Sequence, residues 1–150
     1  MALEMTGEYE LPQDRATVWR ALNDPEMLKK CIPGCETLEK ISDSEFQATV
    51  KLSIGPVSAR FKGKVKLEDM DPPNGYKIVG EGEGGVAGFA KGEAHVALAD
   101  AGQGTMLTYK AEAATGGKLA QLGQRLIAGS AKKTADKFFT NFVEALQEYK

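Results

Sequence analysis

Few residues in this chain have chemistry to offer, and their spacing limits what they can do. Gly80, Gly82 and Gly85 satisfy G-x-G-x-x-G, the pattern that lets a backbone approach a dinucleotide pyrophosphate. That use requires a helix to open there, inside a βαβ unit. Here Val86-Ala87-Gly88-Phe89 follows, with more extended sequence beyond and no P-loop Lys-Ser/Thr pair. The stretch therefore predicts a tight hairpin. Cys31 and Cys35 are the only cysteines and His95 the only histidine, too few for the four ligands of a structural zinc site, so no metal site is expected. The two cysteines lack the C-x-x-C spacing of a redox pair and read as small packed thiols. His95 falls where a strand points outward and has no evident nucleophile partner. Glu81, Glu83, Glu93 and Glu112 alternate with apolar or glycine positions, in the manner of a wet sheet face rather than a catalytic carboxylate pair. No catalytic residue is assigned.

The elements that carry these residues follow from periodicity. Leu3, Met5, Tyr9 and Leu11, with Gly7 among them, alternate with Glu4, Thr6, Glu8 and Glu10, which is an antiparallel strand with one wet face. Pro12 ends it. Asp14 can cap a short helix carrying Val18, Trp19 and Leu22, and Pro25 can begin a second through Met27 and Leu28, stopped by Ile32-Pro33-Gly34. Phe46 to Ile54 and Val57 to Leu67 alternate as strands about a turn at Gly55-Pro56. Asp71-Pro72-Pro73-Asn74-Gly75 is a strong turn. Extended segments follow around 76–84, 87–99 and 105–114. From Lys118 the spacing becomes helical, and Leu119, Leu122, Leu126, Ile127, Ala131, Ala135, Phe138, Phe139, Phe142, Val143 and Leu146 form a broad apolar stripe. That predicts a helix of roughly 30 residues, about 45 Å long, able to lie across a whole sheet. The order is strand, two short helices, about six strands, long helix. Without βαβ alternation the sheet is antiparallel, the class is α+β, and the helix covers its one dry face.

The totals agree. The 150 residues are 42% hydrophobic and 27% charged, which suits one globular domain over residues 1–150. Nineteen basic against 21 acidic side chains leave a net charge of -2, without the concentrated positive excess of a nucleic-acid binder. No apolar run reaches the length of a membrane span, and the N-terminus lacks the apolar core of a signal peptide. A cytoplasmic protein with free thiols is expected.

The apolar stripe changes character along its length. Its C-terminal half is bulky with Phe138, Phe139 and Phe142, and its middle is small with Gly123, Ala128, Gly129, Ser130 and Ala131. Gly80, Gly82 and Gly84 share the inner sheet face with Ile78, and Ala90 and Gly92 are equally small. The missing side chains leave room either for the helix to approach closely, narrowly the favoured reading, or for a ligand. An apolar pocket is predicted between Leu122, Leu126, Ile127, Ser130 and Ala131 on the helix and Phe61, Ile78, Phe89, Leu107 and Tyr109 on the sheet. Ten methylenes buried there would contribute about 8 kcal/mol before ordering costs.

Several stretches together resemble one family. Val18-Trp19, Leu22-Asn23-Asp24-Pro25 and Cys31-Ile32-Pro33-Gly34-Cys35-Glu36 look like the opening of the carbon monoxide dehydrogenase CoxG family. Gly55-Pro56, Phe61-Lys62-Gly63-Lys64-Val65, Gly84 to Gly92, Thr105 to Tyr109, Gly117 to Gly123 and Phe138-Phe139 continue the match in order over nearly the whole chain. The resemblance implies a START-like, helix-grip fold: a seven-stranded antiparallel sheet curved around a long C-terminal helix, with two short helices between strands 1 and 2. It also implies a non-catalytic accessory protein that accompanies a molybdenum hydroxylase and binds a quinone or lipid, with no other cofactor. Many members carry a membrane-contacting tail. This chain stops at Lys150, so a soluble carrier with at most peripheral membrane contact is expected. Two rivals stand beside that reading. One is a ligand-free interaction or maturation protein docking on the hydroxylase. The other is a helix-grip enzyme, which would need polar groups converging inside the pocket.

Overall fold

The structure, a computed structural model, describes residues 2–149. Lys150, on which the expectation about the tail rests, lies outside them. The chain runs β1 (Ala2–Leu11), α1 (Arg15–Leu22), α2 (Pro25–Cys31), β2 (Cys35–Ser42), β3 (Glu45–Ile54), β4 (Val57–Asp71), β5 (Gly75–Glu83), β6 (Phe89–Ala101), β7 (Gly104–Gly116) and α3 (Gln124–Leu146). The strands form one seven-stranded antiparallel sheet in the order β1-β7-β6-β5-β4-β3-β2. This is the helix-grip architecture expected of the chain.

Local chemistry sets most boundaries. Asp14 caps α1 by accepting from the Thr17 N–H at 3.2 Å, and Asp24 caps α2 by accepting from Glu26 at 3.0 Å, with Pro25 in the first turn. Alternation in β4 buries Phe61 and Leu67 and exposes Lys62, Lys64 and Lys66. β2 is not legible in the sequence as a separate strand. It is an edge strand with two register irregularities, and most of its residues are exposed on both faces, so no period-two pattern marks it.

The long helix is shorter than its apolar stripe suggests. It has 23 residues, about 35 Å. Gly117 and Gly123 have φ of 70° and 90°, values that break a right-handed helix, and a 3₁₀ turn over Ala120–Leu122 fills the gap. Leu119 leaves the stripe and is buried against Phe61 and Ala87.

The core falls into two parts. The larger gathers Phe142 and Leu146 of α3 with Leu11, Val18, Leu22, Met27, Cys31, Phe46, Leu67, Tyr76, Leu98 and Leu107. The smaller holds Phe61, Ala87 and Leu119, flanked by Leu52, Ile54, Val57 and Ala59. Both cysteines are free thiols, Cys31 buried and Cys35 partly so.

Candidate functional site

Between the two clusters lies a stretch of interior that is apolar and not closed. Strand registers place Leu3, Ala113, Gly92, Gly80, Val65 and Phe46 in one row across the inner face. Met5, Ala111, Ala94 and Ile78 lie in a second row, and Ala90, Gly82, Gly63 and Ala48 in a third. Of these only Phe46 is buried; the rest are partly exposed. On α3, Ile127, Ala131, Ala135 and Phe138 follow at helical spacing on the stripe that ends in Phe142, and all four are partly exposed too. A packed helix–sheet interface of alanines, valines and isoleucines would be dry.

Glycine decides whether the small residues serve close packing or leave space. A Cβ built on Gly80 would meet only Lys64 O and Val65 Cγ2, both at 3.7 Å. On Gly82 it would meet Lys62 O at 3.7 Å and Gly63 Cα at 3.9 Å, and on Gly63 Glu81 O at 3.4 Å and Ala48 O at 3.9 Å. These are ordinary contacts within the sheet's own strands, and no atom of α3 comes within 4 Å. The helix does not press on these glycines, so the narrowly favoured packing reading fails at Gly80 and Gly82. Close packing does explain two others. A Cβ on Gly84 would run into the Phe61 ring at 2.6 Å, and one on Gly7 into the Tyr109 ring. Correspondingly, α3 makes its main approaches to β1, β3 and α2 rather than to β4, β5 and β6. The whole chain exposes 8769 Å², against about 7,400 Å² for a folded protein of its 16.1 kDa mass.

The residues predicted for the site divide. Ile78, Tyr109, Ile127 and Ala131 lie on the two inner surfaces, with Phe61 closing one end. Leu107 is 1% exposed, fully enclosed in the larger cluster. Phe89 pairs with Glu83 and Gly116 on the outer face, where its ring covers Gly116 and is 45% exposed. Leu122, Leu126 and Ser130 line a shallow surface groove of about 590 Å³ with Arg125, Gly129 and Lys133. Leu126 and Ser130 lie roughly 100° around α3 from Ile127 and Ala131. Gly63, Val65, Ala94, Ala111, Ala113 and Ala135 line the open interior and went unpredicted. Gly63 was readable, because it takes the inward position between Phe61 and Val65.

Polar groups at the rim are few. Tyr9 on β1 donates to Asp136 Oδ1 at 2.5 Å, and Lys132 Nζ lies 3.2 Å from Asp136 Oδ2. Burial, then the Asp136 bond, pushes the Tyr9 hydroxyl's pKa well up. The bond from Tyr9, then that from Lys132, holds the Asp136 carboxyl below its ordinary value. Tyr9 stacks on Phe139 with ring centroids 4.1 Å apart, and Tyr109 stacks beside them. His95 sits on the outer face, opposite Lys77 and Lys110. Glu93 is 3.2 Å from Lys77, which explains its place there as an ion pair. A larger groove of about 630 Å³ also crosses the outer face, walled by Glu45, Lys64, Lys66, Glu81, Glu93 and Glu112. Its charged walls suit an apolar ligand far less than the inner face does. Among the described residues no cluster of three or more His, Cys, Asp or Glu could hold a metal ion, and no helix is long and apolar enough to cross a membrane.

Comparison with known proteins follows the same outline. A family model described as the CoxG component of carbon monoxide dehydrogenase matches residues 7–147. No curated protein matches the sequence. Among solved structures, a conserved protein from Geobacillus kaustophilus is 35% identical, with a TM-score of 0.91 over 97% of this chain and 96% of that one. A START superfamily protein from Mycobacterium smegmatis is 13% identical, with a TM-score of 0.73 over 97% of each chain. An aromatase/cyclase from a Streptomyces species is 10% identical, with a TM-score of 0.71 over 98% of this chain and 94% of that one. The last two share the fold alone.

Proposed function

This chain belongs to the carbon monoxide dehydrogenase CoxG family, and on that premise we propose that it is a non-catalytic accessory protein of a molybdenum hydroxylase that holds an apolar ligand, a quinone or lipid, between α3 and the sheet. The observation that carries the reading is the open space above Gly63, Gly80 and Gly82. Three adjacent inner positions have no side chain, and no atom of the helix takes up the room. An apolar surface left accessible to water is costly at about 25 cal/mol per Å², and a hydrocarbon ligand removes that cost. The tyrosines at the rim offer the polar end of such a ligand hydrogen-bonding groups.

Filling the space tests the proposal. Gly80→Val and Gly82→Val add side chains where a Cβ meets nothing closer than 3.7 Å. The native protein should release a quinone or lipid on organic extraction and show its added mass in native mass spectrometry, and the double variant should carry none while still folding. An unliganded native protein recovered with a bound hydroxylase would instead support the docking role, for which the outer-face groove is the surface on offer.

A further inference from the structure

The polar atoms at the rim of the open interior belong to one chain of hydrogen bonds, and that chain has a direction. Tyr9 has a single hydroxyl proton, and it goes to Asp136 Oδ1 at 2.5 Å. Lys132 Nζ donates to the other carboxylate oxygen at 3.2 Å, from a side chain 72% exposed. Tyr109 adds a second phenol, its ring within 6° of parallel to that of Tyr9. Its hydroxyl reaches over Gly7 of β1, 2.9 Å from where a Cβ there would sit. Burial and the Asp136 bond push the Tyr9 pKa up, and a bond with the Tyr109 hydroxyl adds to the shift. Because the Tyr9 proton is already committed to Asp136, Tyr109 is the donor between the two phenols. Both hydroxyl protons are thus used within the protein, and what the phenols and the carboxylate have left is oxygen lone pairs.

This chain sits where the open interior ends. Gly7 and Tyr109 form the row next to Met5, Ala111, Ala94 and Ile78, and Leu107 and Leu98 in the row beyond are closed core. Asp136 follows Ala135 on α3, and Phe139 covers the Tyr9 ring. A tie between β1 and α3 needs only the Tyr9–Asp136 bond. The Tyr109 hydroxyl, held above a glycine in the same cluster, adds nothing to that tie.

We infer that the rim selects a ligand by the hydrogen its polar end can donate, so that a hydroxyl-headed quinol is held in preference to the carbonyl-headed quinone with the same chain. The inference rests on the ligand reading and refines it. A hydroxyl donates into the lone pairs left on Tyr9, Tyr109 and Asp136. A carbonyl brings one more acceptor to the same atoms, and both sides stay unpaired. Isothermal titration of the delipidated full chain under argon, with a decyl-substituted benzoquinone and with its quinol, measures the preference. The quinol should bind about tenfold more tightly. 1-Dodecanol should likewise bind more tightly than its methyl ether, which keeps the oxygen and loses the proton. In Asp136→Asn the amide can donate to Tyr9 and turn the Tyr9 proton outward, so the preference should fall below about threefold. Lys29→Gln, on α2, should keep it. The ratio of affinities, unlike either affinity alone, does not move when a variant merely loses folded protein. Equal affinity for quinol and quinone, or a preference that Asp136→Asn leaves intact, would overturn the inference and leave the ligand reading standing. Binding of neither probe, or undiminished binding of both by the Gly80→Val/Gly82→Val variant, would overturn that reading and the inference with it.

Discussion

The two halves of α3 meet the same sheet in opposite ways. The C-terminal half drives Phe142 and Leu146 into a closed core at 0% exposure and stacks Phe138 and Phe139 beside them. The N-terminal half presents Ile127, Ala131 and Ala135 to a sheet face of glycine and alanine without closing on it. One helix thus combines a structural anchor with a wall of the interior. The contrast shows that an unbroken apolar stripe does not specify continuous packing. Stripe and sheet face must also match in volume, and here they match at one end only.

The comparison breaks most visibly at the anchor. Phe142→Ala should cost about 3–5 kcal/mol in urea or thermal unfolding, and Leu107→Ala about 2–5 kcal/mol, because both leave cavities in enclosed surroundings. A Phe142→Ala loss below about 1 kcal/mol would mean that the closed end is no anchor. Ile127→Ala, the same kind of truncation in the open half, should cost under about 2 kcal/mol, since less contact is lost where packing is already incomplete. Gly80→Val with Gly82→Val should move stability by no more than about 1 kcal/mol, because glycine is a poor strand residue and the new side chains enter free space. A large destabilisation would show that α3 presses on these positions after all.

The smallest effect lies at the Tyr9–Asp136 contact. Asp136 has a lowered pKa in the folded protein, so its contribution is fully present above the ordinary value of 3.8 and fades as pH falls through the folded value. The melting temperature of Asp136→Asn should therefore sit slightly below that of the parent at pH 7. The gap should close as the solution is acidified below about pH 4. A gap that persists undiminished in acid would show that the carboxylate charge is not what Tyr9 binds.

Much of this was legible in the chain. Alternation marked the inward positions of β1, β3 and β4, Asp14 and Pro25 marked the short helices, and the new spacing from Lys118 marked the change toward a helix. The misreadings have physical causes. Leu119 and Leu122 fit the helical stripe by spacing, yet Gly123 at φ 90° starts the helix after them. Leu107 has the right parity for the inner face but lies opposite Leu98 and Tyr9, where the core is closed. Phe89 is bulky and apolar, which reads as inward, but its register with Glu83 puts it outside.

The sequence by itself therefore determined which side of each clear strand faces inward, because period two is a local property of the backbone. It also determined that the inner face would be short of side chains near Gly80 and Gly82. Only the tertiary structure decided that α3 does not come down to fill that shortage. The helix is held at one end by contacts between distant parts of the chain: Asn141 Nδ2 donates to Cys31 O across 110 residues, Tyr149 to Asp24 across 125, Tyr9 to Asp136 across 127 and Gln13 to Leu146 O across 133. Such contacts leave no periodic trace along the chain, and they set where the helix rests and how much of the interior stays open.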